Sequence, residues 1–388
     1  MPAEKFIPFA RPTISPAAIA EVAACLRSGW LATGPRAAKF EEMLRAYFDT
    51  PHALCCVSAT LGLWMALKAL ELQPGDEVIT TPLTFVASLN TIVLAGGTPV
   101  LADVDRGTYN MDPAKVAAAI TKRTRAIMPV HFAGCPVDLD AIYALAKKHR
   151  LRVVEDCAHA MGAEFKGRRV GSFGDVQVFS FHPNKNMTTG EGGCVVTRDA
   201  KLARRIEIQR FHGADRASWK TQPHPEGLSE FCVHVDTVEA GLKSNFMDLQ
   251  AALGIHQLPA LAGFNKKRGA LAARYLQKLR GIPGLSLPAA PRYKHTHAWH
   301  LFTPVVERHA KVNRDTLIVE LKKRQIGAGV HYIACHLLSF YQKNYGWRRG
   351  DFPVAESISD GILSLPLFPL LTLRDQDRVV RALREILG

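Results

Sequence analysis

From about residue 50 to about residue 200 the chain repeats one pattern, a short β-branched run followed by a stretch with apolar residues at helical spacing. Parallel strands need a crossover about a helix long, so this alternation predicts a mainly parallel sheet flanked by helices. Seven runs qualify as strands: 54–57, 77–81, 99–104, 125–130, 152–155, 176–181 and 194–197. Asp112 and Pro113 supply an N-cap and a first-turn proline for a helix through Ile120, and Asp138 opens another with Leu139, Ile142 and Leu145 on one side. Residues 245–279 read as helix nearly throughout, interrupted near Pro259, and long enough to bridge two domains. Beyond it, a strand at 301–306, a helix at 314–324, a strand at 328–332 and a closing helix at 373–387 behind a Thr372/Asp375 capping pattern predict a separate α+β unit. The expected division is a large domain over 1–255, N-terminal arm included, and a small C-terminal domain over 256–388. Residues 213–241, rich in His, Ser, Pro and Glu, predict a long excursion or lid.

Composition narrows the function classes. A chain of 388 residues that is 47% hydrophobic buries a sizeable core. The start, MPAEKFIPFARP, lacks a basic segment followed by an apolar run, and no stretch reaches the ~18–20 apolar residues of a membrane span, so a soluble, cytoplasmic protein without membrane contact is expected. Cysteines at 25, 55, 56, 135, 157, 194, 232 and 335 form no CxxC pair and have no zinc-type histidine spacing; reduced core thiols and no metal site are expected. The net charge of +14 raises the possibility of nucleic acid. The basic groups (Lys147 and Lys148; Lys266, Lys267 and Arg268; Lys322, Lys323 and Arg324) instead fall on segments with helical period, which predicts solvated faces and a field that favours anionic small substrates. No basic recognition helix supports a DNA-binding regulator.

The run FSFHPNKNMTTGEGG (179–193) ends a strand, presents Lys185 and returns to another strand through glycines. Ligands bind outside the carboxyl ends of parallel strands, so this amine is placed at a crevice. The run LRVVEDCAHA delivers Asp156 at another strand end. The pair is either a structural ion bridge or the machinery of pyridoxal phosphate, which needs an amine for its aldehyde and a carboxylate to keep its pyridinium nitrogen protonated. At ~4 Å and an effective dielectric of ~20 such a carboxylate gains on the order of 4 kcal/mol on the cation. CVSATLGLWMALKAL places Ser58, Ala59 and Thr60 where a strand turns into a helix, a seat for phosphate or simple N-capping. Ser180 is a second hydroxyl for phosphate or a polar strand residue. Phe85 either stacks on a ring or packs in a core, and His159 either covers or touches the ring or is structural.

These segments, with SGWLATGP (28–35), VSATLGL (57–63), PLTFVAS (82–88), EDCAHA (155–160), NFMDLQAALG (245–254), HYIACH (331–336) and LSLPLFP (363–369), resemble the sugar aminotransferases of the DegT/DnrJ/EryC1/StrS family over nearly the whole length. The resemblance implies a fold-type I α/β architecture with pyridoxal phosphate on Lys185, Asp156 against the pyridinium, and Ala59, Thr60 and Ser180 near the phosphate. It also implies a homodimer in which Asn245 completes the neighbouring site. Two departures stand out: Ser58-Ala59-Thr60 where SGT is usual, and His159 where glutamine is common. The implied reaction moves an amino group from glutamate to a nucleotide-linked keto-sugar in polysaccharide or lipopolysaccharide biosynthesis. Residues 211–243 resemble enzymes acting at C4 of a UDP-4-keto-hexose or pentose, with His331 and Tyr332 in the sugar pocket. Relatives that dehydrate sugars carry histidine in place of the lysine, so Lys185 favours transamination.

Overall fold

The computed structural model describes residues 5–215 and 236–388. Strands β1 (His52–Cys56), β2 (Glu77–Thr80), β3 (Thr98–Leu101), β4 (Thr124–Ile127), β5 (Arg152–Asp156), β6 (Val176–Ser180) and β7 (Gly193–Thr197) form one sheet in the order β1-β7-β6-β5-β4-β2-β3. The pairs from β6 through β3 are parallel, while β7 runs antiparallel to both β6 and β1. All seven predicted strands therefore lie in this sheet. Strands β6 and β7 are buried at every position, as a sheet covered on both faces requires.

Helices α1 (Pro16–Ser28), α2 (Pro35–Phe48), α3 (Ala59–Ala69), α4 (Ala87–Leu94), α5 (Pro113–Ala119), α6 (Leu139–His149) and α7 (Ala200–Gln209) surround the sheet. Alternation along the strands sorts the two cores: Val154, Val178 and Val195 pack with Leu63 and Leu67 of α3 and Ile206 of α7, while Phe179, Cys194 and Val196 meet Phe40, Leu44 and Phe48 of α2. The described cysteines are buried, and Cys232 lies outside the described residues.

Helix α8 (Asp248–Lys278) runs unbroken through Pro259, contrary to the expected interruption. A proline inside a helix costs roughly 3 kcal/mol. Burial on both sides offsets it: Ile255, Leu258 and Leu261 join the large core, and Leu271, Ala272 and Tyr275 join a second core with Phe302, Leu363 and Leu383. The expected boundary at 255/256 falls within this shared helix. Arg268 also departs from the solvated-face reading. It lies on the same side as Leu271 and Tyr275, is 2% exposed, and donates to the Leu367 carbonyl at 2.8 Å and the His300 carbonyl at 3.2 Å.

The C-terminal unit adds α9 (Arg314–Lys323), α10 (Ser339–Tyr345), α11 (Pro353–Gly361) and α12 (Leu373–Leu387), the last capped by Thr372 as expected. Its strand pairing is sparser than predicted. Only Val305–Val306 of the 301–306 run is strand, and 328–332 is extended chain bridged once, from Gly329 to Ser364. The end of that segment faces the site described next instead of a neighbouring strand. Most of the predicted 213–241 excursion lies outside the described residues. Among the described residues, no helix is long and apolar enough to cross a membrane.

Candidate active site

A cavity of about 350 Å³ opens beyond the carboxyl ends of β5 and β6. Its wall includes Ala59, Thr60, Phe85, Asp156, His159, Ser180, Lys185, His331 and Tyr332, so nine of the ten residues singled out from sequence converge there. Asn245 is the exception. It lies in a separate groove with Thr33, to whose hydroxyl it donates at 2.6 Å, and its backbone bridges Cys56.

The floor comes from the sheet ends. Asp156 closes β5 and is 6% exposed. Ser88, the second residue of α4, donates to its Oδ2 at 2.7 Å, and the Ala158 N–H donates to Oδ1 at 3.1 Å. Ser88 was missed in the sequence because a serine in a helix carries no local sign of what it faces, although it ends the PLTFVAS motif. Lys185 stands in the turn after β6, half-buried at the cavity wall. Withdrawal from water lowers its amine pKa to about 8, against the raising pull of Asp156.

At the start of α3, Ser58 is spent on capping: its Oγ accepts from Leu61 N–H at 3.2 Å. The Ala59 and Thr60 N–H groups open α3, where no intrahelical carbonyl reaches them, and both residues line the cavity. Ser180 sits beside them at the end of β6, 7% exposed. Gly193 is what allows the close approach. A Cβ there would lie 2.6 Å from Ala59 N and 2.8 Å from Ser58 C, so any side chain would push the helix start away.

The walls are aromatic. Phe85 is 57% exposed yet lines the cavity, and its ring centroid is 5.9 Å from Tyr332. His159 accepts from Ala133 N–H through Nδ1 and meets the Tyr332 hydroxyl through Nε2. Burial first, then the charges of Lys185 and His331, hold its pKa well below the histidine range. His331 hydrogen-bonds Ser364, stacks on Phe9, and is lowered to about 4 by burial and by Lys185.

The pattern of the DegT/DnrJ/EryC1/StrS aminotransferase family matches residues 12–384 of this chain. The chain belongs to that family. It is 43% identical over 386 residues to SpsC, the spore coat polysaccharide biosynthesis protein of Bacillus subtilis, covering 98% of this chain and 97% of SpsC. DesV of S. venezuelae, solved with a ketimine intermediate, matches with a TM-score of 0.88 and 36% identity over 98% of each chain. Spr1654 of Streptococcus pneumoniae in its PLP form matches with a TM-score of 0.89 and 32% identity over 98% of each chain.

DegT/DnrJ/EryC1/StrS enzymes use pyridoxal phosphate, and the cavity of this member fits that group. Its amine is already shifted toward the uncharged, nucleophilic form. The helix start beside Ser180 offers N–H groups to a phosphate, and Asp156 is anchored by two donors on one side with the cavity on the other.

Proposed function

We propose that this chain is a pyridoxal-phosphate sugar aminotransferase in which Lys185 binds the coenzyme and moves the proton of the reaction. The observation that carries the reading is the meeting of the Lys185 amine and the Asp156 carboxylate in one cavity with a free helix start. When bound, the coenzyme supplies an electron sink that lets the amino donor's Cα proton leave.

The chain's own residues do the rest. Asp156 would offer a negative charge to the ring nitrogen. The Ala59 and Thr60 N–H groups, with the hydroxyls of Thr60 and Ser180, hold the phosphate. Phe85 and His159, both at the cavity wall, would flank the ring. The Lys185 amine, once free of the coenzyme, takes the proton from one carbon and returns it to the next as general base and acid.

The donor is glutamate and the acceptor a nucleotide-linked keto-sugar, aminated at C4 of a UDP-4-keto-hexose or pentose. Support comes from the resemblance of residues 211–243, from the charge of +14 that suits a diphosphate, and from His331 and Tyr332 at the cavity wall. Two copies complete each other's sites, with Asn245 closing the neighbour's phosphate seat. That reading is supported by the position of Asn245 outside its own cavity, hydrogen-bonded to Thr33, and by the exposure of the apolar residues Trp30, Leu31 and Met247, which lie close in sequence to these two. The two units divide near 255/256, within α8.

Incubation with pyridoxal phosphate and glutamate should convert the coenzyme spectrum to the pyridoxamine form. Subsequent addition of 4-keto and 3-keto nucleotide sugars should yield an amino-sugar mass for the 4-keto series. A coenzyme band that glutamate leaves unchanged would overturn the choice of glutamate, and dehydrated products would overturn transamination.

A further inference from the structure

The tautomer of His159 is fixed by its surroundings. The Ala133 backbone N–H can only donate, and it donates to Nδ1 at 3.3 Å. The single proton of the neutral ring therefore sits on Nε2, 3.0 Å from the Tyr332 oxygen, so the imidazole donates and the phenol oxygen accepts. That bond turns the phenol's own proton away from His159. Among the described residues, the His159 ring is the one hydrogen-bond partner of this hydroxyl, and Tyr332 borders the same cavity as Lys185 and Asp156.

The arrangement is built, not incidental. Ala133 holds a left-handed backbone, φ 55° and ψ 6°, which persists in a non-glycine residue only when its surroundings enforce it. Buried Asn110 enforces it here: its Oδ1 accepts from Phe132 N–H at 2.9 Å, and its Nδ2 donates to the Cys135 and Pro136 carbonyls, both at 3.1 Å. Phe85 and Phe132 flank the phenol, and His159 lies nearly parallel to it, 16° between planes.

We propose that Tyr332 is a hydrogen-bond donor to an acceptor oxygen on the molecule held in the cavity, and that His159 is the positioning residue that turns the Tyr332 proton inward. The acceptor is the phenolic oxygen of the coenzyme or the keto oxygen of the sugar. The inference rests on the proposed function for what fills the cavity, but not for the direction of the hydrogen bonds. A glutamine at 159 would serve the same arrangement: its amide oxygen would accept from Ala133 N–H while its NH2 would donate to Tyr332.

The test uses Tyr332→Phe, His159→Leu, the double variant and His159→Gln. In coenzyme-free wild-type protein, long-range 15N–1H correlations of His159 should show the Nε2–H form; an Nδ1–H or doubly protonated ring overturns the relay. If the acceptor is on the coenzyme, Tyr332→Phe and His159→Leu should each shift the pH midpoint of the bound-coenzyme spectrum by about one unit without substrate. If it is on the sugar, that midpoint stays put and kcat/KM for the keto-sugar falls about tenfold, with KM for glutamate unchanged. In either case the double variant should be no worse than either single change, and His159→Gln should restore most of the loss. Losses that multiply, or a Tyr332→Phe enzyme that matches wild type in both readouts, would overturn the inference alone. Wild-type protein that takes up no coenzyme would overturn the functional reading instead, and the nitrogen spectrum would still decide the tautomer.

Discussion

Glu155 and Asp156 are neighbouring carboxylates on β5, and successive strand residues face opposite sides of a sheet. On one side, Glu155 is 1% exposed and closed in by protein: His131 Nε2 at 2.9 Å, the Tyr143 hydroxyl at 2.7 Å and Gln177 Nε2 at 2.8 Å. His131 must donate there, because its Nδ1 accepts from Val137 N–H. On the other side, Asp156 has Ser88 and Ala158 behind it and the cavity ahead. A buried charge needs donors around it. Where the protein supplies the full set, as for Glu155, the group contributes to the stability of the fold. Where one side is left for a ligand, as for Asp156, the group is available for chemistry.

The contrast breaks most sharply under substitution. Asp156→Asn keeps the volume and removes the charge offered to the cavity, and kcat should fall by about a hundredfold to a thousandfold, with the thermal midpoint nearly unchanged. Steady-state kinetics beside a melting curve measures both, and wild-type turnover would mean that another group serves the ring. Lys185 sharpens the same side. Only its unprotonated amine attacks an aldehyde, so with a pKa of about 8 the rate at which coenzyme-free protein captures pyridoxal phosphate should rise roughly tenfold per pH unit below 8 and level off above. An ordinary exposed lysine would keep rising toward pH 10. Because Asp156 pulls this pKa upward, Asp156→Asn should move the plateau to lower pH. Glu155→Gln should do the opposite of Asp156→Asn. It weakens the closed network by about 1–3 kcal/mol in denaturant unfolding and leaves kcat within a few-fold. A large kinetic defect with unchanged stability there would erase the distinction between the two faces.

Much of the floor was legible in the sequence because its signals are local. A strand run, a lysine after it and glycines returning the chain place Lys185 within fifteen residues, 179–193. Asp156 and the start of α3 announce themselves in the same way, by a polar residue at the end of an apolar run. The walls were harder because their contacts are distant along the chain. Tyr332 and His159 bond across 173 residues, and Ser88 reaches Asp156 across 68. No periodicity reports such meetings; the HYIACH motif indicated the segment but not the direction of its hydrogen bond. Arg268 and Pro259 were misread for a related reason. A charged or helix-breaking residue is judged locally as exposed or terminal, whereas α8 runs between two cores that accommodate both.

The most direct test of the central claim is chemical trapping. Wild-type protein incubated with pyridoxal phosphate, reduced with borohydride and digested should carry the coenzyme's mass on the peptide containing Lys185, and Lys185→Ala should lose that label and the visible band while keeping its circular dichroism. A label on another lysine, or full turnover by the alanine variant, would contradict the account.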